Sequence, residues 1–383
     1  MRKICFVTGT RAEYGLLSRL MKLVKEDNDL RLQVIATNMH LMPEYGETYK
    51  EIEKDGVTID KKVYMHKPSD DAQGIISSMA EEMQGMNCAL SELKPDILVL
   101  LGDRYEILVA AQVALIHRIP IAHIHGGEVT EGAFDDAIRH SVTKMSSLHF
   151  TSCEEYRHRV IQMGEQPSRV FDVGSLGVEN IKAVPLMTKD ELEASLDFKI
   201  DIQTILVTYH PVTLGGDPAK DIREFLEALD QFKDLKVIFT MPNSDTGRDA
   251  IALAVEKYVE NHSNRAKAYT SLGLKRYLSS LQFVKAAVGN SSSGIIEVPS
   301  FGIPTLNIGD RQKGRLASKS VVNCGTSKDE VIAGLKLCLS EEMQKAAKTY
   351  ENPYAKSDTA NLIYQELKNV ELTGLNLKTF YDL

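Results

Sequence analysis

Short apolar runs alternate along this chain with longer stretches whose apolar residues recur every three or four positions. The runs lie at Lys3–Val7, Leu32–Ala36, Ile97–Leu101, Ile119–Ile124, Leu148–Phe150 and Val170–Val173, then at Thr204–Tyr209, Lys236–Phe239, Lys267–Tyr269, Ala286–Val288 and Thr305–Ile308. Ile97-Leu98-Val99-Leu100-Leu101 has no polar position, the pattern of a strand buried on both faces of a parallel sheet. Between the runs, Leu16, Leu17, Leu20, Leu23 and Val24 mark one helical face, and a helix from about Ala72 to Leu93 must stop at Lys94-Pro95. Strand alternating with helix predicts right-handed, doubly wound parallel sheets, an α/β fold.

At 383 residues the chain exceeds one ordinary α/β core, so two Rossmann-like domains are expected. We divide them at the connector Lys182–Thr188: an N-terminal domain over 1–180, a C-terminal domain over 181–356, and a closing helix and tail over 357–383 that pack back on the first domain. Ligands of open α/β sheets bind beyond the carboxyl ends of the strands, so the two sheets are expected to face each other across a cleft.

Composition narrows the class. A formal charge of −8 speaks against a nucleic-acid partner, which needs a basic face. No apolar run approaches a membrane span, and Met1-Arg2-Lys3 leads into a strand too short for a secretion signal, so a cytoplasmic protein without a membrane partner is expected. The five cysteines, Cys5, Cys88, Cys153, Cys324 and Cys338, are scattered and never in C-x-x-C spacing, which suits neither a disulfide framework nor a zinc ribbon.

The candidate chemistry stands at strand ends. Gly289-Asn290-Ser291-Ser292-Ser293-Gly294 joins a strand to an apolar helical pattern, a turn where backbone N–H groups and the Ser291 and Ser292 hydroxyls can meet a phosphate. Arg311 follows the next strand, Glu297 lies just beyond the turn, and His210 ends the strand from Thr204. In the first half, Arg11 sits at a strand-to-helix junction, Asp103 and Arg104 end Ile97–Leu101, and His125 and Glu128 follow the strand ending at Ile124. Asp135 and Asp136 open a helix that carries Arg139 and His140 one turn on. Each has a plainer reading: the serines as helix caps, Asp103 and Arg104 as a surface ion pair, and His123 with His125 as strand neighbours pointing the same way, a spacing that metal ligands also use.

Taken together, TGTRAEYG at Thr8–Gly15, LGDRYE at Leu101–Glu106, HIHGGE at His123–Glu128, DDAIRH at Asp135–His140, YHPVT at Tyr209–Thr213, GNSSSGIIEVP at Gly289–Pro299 and IGDRQKGR at Ile308–Arg315 resemble the UDP-N-acetylglucosamine 2-epimerase family, in its hydrolysing, sialic-acid-pathway branch. The resemblance implies the GT-B architecture and a UDP-sugar substrate, with no metal or other cofactor and with a homodimer or homotetramer. By position it implies Arg11, His210, Ser291, Ser292, Glu297 and Arg311 at the nucleotide and diphosphate, and Asp103 with the Asp135-Asp136 pair as the acid/base group; Arg104 joins them as a substrate-binding candidate, and His125, Glu128, Asp136 and His210 join Asp103 as catalytic candidates. Other branches place a carboxylate where this chain has His125, which leaves the proton-handling partner of Asp103 open. The implied reaction converts UDP-GlcNAc and water to ManNAc and UDP, by anti elimination to 2-acetamidoglucal and then hydration. A UDP-2,4-diacetamido-2,4,6-trideoxyhexose is the alternative substrate; a GT-B glycosyltransferase and a non-catalytic UDP-sugar sensor are the competing classes.

Overall fold

The apolar runs become strands because both of their faces are covered. In a computed structural model that describes residues 1–66, 69, 71–131, 133–212, 217–242 and 247–383, the first sheet comprises β1 (Arg2–Thr8), β2 (Leu30–Thr37), β3 (Lys61–Val63), β4 (Ile97–Leu101), β5 (Ile121–Ile124), β6 (Leu148–Thr151) and β7 (Val170–Asp172). All its pairings are parallel, in the order β3-β2-β1-β4-β5-β6-β7. Ile4, Phe6, Ile97 and Val99 point to one core, which the helix Arg11–Glu26 covers with Leu17, Leu20 and Met21; Cys5, Val7, Leu98 and Leu100 point to the other, closed by Ile107, Ala110 and Ala111. Two-residue alternation therefore serves two cores at once.

A second sheet comprises β8 (Thr204–Thr208), β9 (Lys236–Thr240), β10 (Ala266–Tyr269), β11 (Ala286–Gly289), β12 (Thr305–Ile308) and β13 (Val321–Cys324), in the order β10-β9-β8-β11-β12-β13 and again parallel. Ile205, Val207, Val237 and Phe239 face one core, while Leu206 and Ile238 face the other. In both sheets chain order reverses at the centre, between β1 and β4 and between β8 and β11, where open α/β sheets hold ligands.

The chain divides into two units: residues 1–128, 135–180 and 356–383, and residues 129–134 and 181–355. The helix Thr359–Asn369 thus belongs to the first, with Ala360, Ile363 and Leu367 buried in the core beside Leu17 and Leu20. Two strands escaped the apolar pattern, β3 and β13. Both are short and lie at sheet edges, where half-exposed polar residues suffice. No helix among the described residues is long and apolar enough to cross a membrane.

Candidate active site

In the first unit the carboxyl end of β4 turns sharply at Gly102, in the left-handed region at φ 82°. Asp103 follows, and its carboxylate pairs with Nη2 of Arg139, a buried side chain on the helix Asp135–Met145. The plainer reading of Asp103 and Arg104 as an ion pair gives way to this Asp103–Arg139 pair. Arg104 turns its Nε to Glu106 Oε1 at 2.8 Å instead. The Gly102 carbonyl can only accept a hydrogen bond, so the proton of buried His123 is on Nε2, 2.8 Å from that oxygen, and Nδ1 accepts from Thr143 at 3.1 Å. Burial lowers the His123 pKa to about 3, which keeps the ring neutral and fixes the turn that bears Asp103.

β5 ends at Ile124, and His125 takes a left-handed conformation at φ 67° while its N–H donates to Phe150 O at 2.8 Å. His123 and His125 therefore do not share a strand face, against the alternation read from the sequence. The His125 Nδ1 lies 3.6 Å from Glu128 Oε1, which also accepts from Ser152 Oγ at 2.8 Å. Gly127, at φ 79°, allows this tight return: a Cβ there would stand 2.5 Å from Tyr156 O. Asp136 reaches His140 Nε2 at 3.5 Å across one helical turn, and Arg11 pairs with Glu51 at 2.6 Å.

In the second unit the Ser-rich turn is built on Asn290. Gly289 precedes it at φ 130°, where a Cβ would lie 2.0 Å from Thr208 O, so no side chain fits between β11 and β8. The Asn290 amide then bonds the backbone of His210 in both directions, at 2.7 and 2.8 Å. Its carbonyl accepts from Gln312 Nε2 at 2.9 Å and Arg311 Nη1 at 3.3 Å. One residue thus gathers the ends of β8, β11 and β12. Tyr277 steadies the turn by donating to Ser293 Oγ at 2.7 Å. Among the described residues, the N–H groups of Ser291 and Ser292 have no partner within the chain. The helix that follows is a single turn, Ser293–Ile296, running past Glu297 into a 3-10 segment with Pro299 at its start. Its dipole is small, and unpaired N–H groups rather than a long helix are what the turn offers an anion.

The candidates therefore sort into two constellations. Asp103, Arg104, His125, Glu128, Asp136 and Arg11 belong to the first unit; His210, Ser291, Ser292, Glu297 and Arg311 belong to the second. Thr213 of the YHPVT motif lies outside the described residues. Sequence reasoning passed over Asn290, Gln312 and Glu106, and gave Arg139 no role. The signal for Arg139 was its spacing: four residues after Asp135, it shares a helix face with that carboxylate.

The family model for UDP-N-acetylglucosamine 2-epimerase matches residues 22–368. The chain is 43% identical to the GDP/UDP-N,N'-diacetylbacillosamine 2-epimerase (hydrolyzing) of Campylobacter jejuni, over 100% of this chain and 99% of the relative. It is 38% identical to the polysialic acid biosynthesis protein P7 of Escherichia coli, over 100% and 98%. Among solved structures, UDP-GlcNAc 2-epimerase from Neisseria meningitidis bound to UDP-GlcNAc superposes with a TM-score of 0.80 at 18% identity, over 95% of this chain and 99% of that one, a likeness of fold. With a family match across most of its length and relatives that align end to end, this chain belongs to the UDP-N-acetylglucosamine 2-epimerase family.

Proposed function

We propose that the protein is a hydrolysing 2-epimerase that converts a UDP-activated 2-acetamido hexose and water into UDP and the free C2 epimer. The observation that carries this reading is the Asn290 assembly, which presents unpaired N–H groups, two hydroxyls, a guanidinium and His210 at one sheet's switch point. Such donors suit a diphosphate and gain strength as it departs with charge.

The chemistry follows from the substrate. H2 of an N-acetylhexosamine is not acidified by a neighbouring carbonyl, so its removal must be coupled to loss of the leaving group at C1. In the α configuration H2 and the C1–O bond are anti, and elimination gives a 2-acetamidoglucal. Asp103, beside Arg139, takes or returns the C2 proton, and the His125–Glu128 pair with Asp136 supplies the opposite transfer. Water adds at C1. Arg311, His210, Ser291 and Ser292 hold the leaving diphosphate and Glu297 orients the nucleoside, while Arg104 stands with Asp103 among the sugar-side groups and Arg11 serves in substrate binding.

For the sugar, the 43% identity to the Campylobacter enzyme and 34% identity to the Legionella pneumophila UDP-N,N'-diacetylbacillosamine 2-epimerase (hydrolyzing) favour a 2,4-diacetamido-2,4,6-trideoxyhexose over GlcNAc. The polysialic acid relative keeps UDP-GlcNAc, with ManNAc as product, as the second reading. Incubation with UDP-GlcNAc, UDP-N,N'-diacetylbacillosamine and its GDP counterpart, with products identified by NMR, tests both levels. A free 2-epimerised sugar from either UDP-sugar supports the reading, and turnover of the GDP sugar alone overturns its assignment to UDP. Equilibration between two nucleotide sugars, or turnover only with an added sugar acceptor, overturns it.

A further inference from the structure

The end of β1 and the end of β4, neighbours at the first sheet's switch point, enclose a group of carboxyls that the reaction as described does not use. Glu13, in the first turn of the helix after β1, accepts the Gly9 N–H on Oε2 at 2.6 Å. Glu106, in the first turn of the helix after β4, presses against the same glycine from the other side: a Cβ on Gly9 would stand 2.6 Å from Glu106 Oε1. Glu82 comes from the helix Ala72–Leu93 and reaches Thr37 Oγ1 at 3.4 Å. Glu82 and Glu106 are fully buried and Glu13 is 6% exposed. Among the described residues, Oε2 of Glu82 and Oε2 of Glu106 are buried without a hydrogen-bond partner.

Among the described residues one cation faces these three acids, the Arg104 guanidinium, which bonds Glu106. His40, whose Nε2 lies 3.1 Å from Thr8 Oγ1, brings no second charge, since burial lowers its pKa to about 4. Three buried carboxylates against one guanidinium would leave two uncompensated charges in a sealed space, and such a group keeps protons instead. The guanidinium bonds Glu106, and burial favours the protonated form at Glu13 and Glu82.

We propose that Glu13 is a positioning residue that stays protonated at neutral pH, and that its neutral form is what keeps Arg104 on Glu106 and the Gly9 turn closed beneath the sugar-side constellation. The proposal rests on the reading of Arg104 and Asp103 as sugar-side groups given above. Its pH window follows from the environment of Glu13. Burial, then the charge of Glu106, raise its pKa to about 8 against the opposing pull of the Gly9 N–H and Arg104, and burial with Glu106 holds Glu82 well above the ordinary range. Positioning is therefore held at neutral pH and lost progressively as pH rises through about 8, when a second negative charge beside Glu106 competes for Arg104.

Two measurements test this without turnover. In protein carrying isotope-labelled glutamate, infrared difference spectra between pH 7 and pH 10 should contain a protonated carboxylic acid band that Glu13→Gln removes. The Arg104 Nε–H NMR signal, assigned by its loss in Arg104→Lys, should broaden above pH 8 in the native protein and persist in Glu13→Gln, whose amide keeps the shape of the neutral acid. Activity supplies the third arm: the native enzyme should lose kcat above pH 8, and Glu13→Gln should lose that alkaline limb. No acid band at pH 7, or an Arg104 signal that titrates alike in both proteins, would overturn the proposal. If band and signal behave as expected while no UDP-sugar is turned over, the buried acid stands and the reaction assignment fails.

Discussion

The Asn290 side chain clasps the backbone of His210, taking its N–H on Oδ1 at 2.7 Å and giving Nδ2–H to its carbonyl at 2.8 Å. A side-chain amide thus continues the pairing of β11 with β8 one step beyond the last backbone bond of the ladder, Asn290 N–H to Thr208 O. Because the Asn290 carbonyl also receives Gln312 and Arg311, the amide fixes three loops by backbone and side chain together.

Asn290→Ala should weaken UDP binding by tenfold or more and lower the melting temperature. It leaves the buried N–H and carbonyl of His210 unmet, at a cost of roughly 1–3 kcal/mol for each group stranded. Asn290→Asp restores one of the two bonds but sets a negative charge beside the proposed diphosphate, so it should recover stability more than affinity. Calorimetry with UDP and thermal melts on both variants decide the matter; native UDP affinity in Asn290→Asp would remove the turn from the nucleotide site.

Asp103 and Arg139 should behave as a unit. Asp103→Asn keeps shape but cannot take a proton near neutrality, and should lower kcat about 10²- to 10⁴-fold, the usual worth of a general acid or base. Arg139→Met removes the partner that holds the carboxylate and should lower kcat by a large part of that factor. The double variant should be little worse than Asp103→Asn alone, the non-additivity expected of contacting residues. UDP affinity, assigned to the other unit, should stay within about threefold of native in both. Additive losses in kcat would make Arg139 a contributor independent of Asp103.

A third prediction concerns stability. Burial alone would raise the Glu165 pKa, but the hydrogen bond from His149 and those from Lys144 and Lys378 outweigh it and lower the value to about 2. A folded value below the unfolded one, about 4.5, means this carboxylate stabilises the fold above pH 4.5 and loses that contribution as pH falls towards 2. Glu165→Gln should therefore melt well below native protein at pH 7, with the gap closing through that window. A gap independent of pH would show that packing at Glu165 matters and its charge does not. Lys378 lies in the C-terminal tail, so Lys378→Met should reproduce part of the effect.

The sheets were legible in the sequence because Ile97–Leu101 and the runs like it need both faces covered, a requirement written residue by residue. The site was legible only by its strand-end letters. That Asp103 would turn to Arg139 and Arg104 to Glu106 depends on which helix lies over β4, a tertiary fact that local spacing does not carry. His125 shows the same limit: its left-handed conformation comes from the return through Gly126-Gly127, and strand alternation extended one residue too far aimed it wrongly. Asn290 looked like a turn residue among serines, and its bonds to a strand eighty positions away have no local signature.

The bond that breaks distinguishes elimination from every hydrolysis at phosphorus. In heavy-oxygen water the free sugar should carry the label in its C1 hydroxyl and the UDP should carry none, because loss of the diphosphate cleaves C1–O and water adds afterwards to the glycal. In deuterium oxide the product should hold one solvent deuterium at C2, since the proton returned there comes from a group that exchanges with solvent. The two labels are independent, and each closes one alternative. Heavy oxygen in the UDP phosphate would mean attack at phosphorus, with the Asn290 turn holding an electrophile instead of a leaving group. A C2 epimer that retained its original hydrogen would mean that no proton-exchanging group acts at C2, and Asp103, His125, Glu128 and Asp136 would lose the roles proposed for them. Mass spectrometry of sugar and nucleotide from one reaction reads both at once.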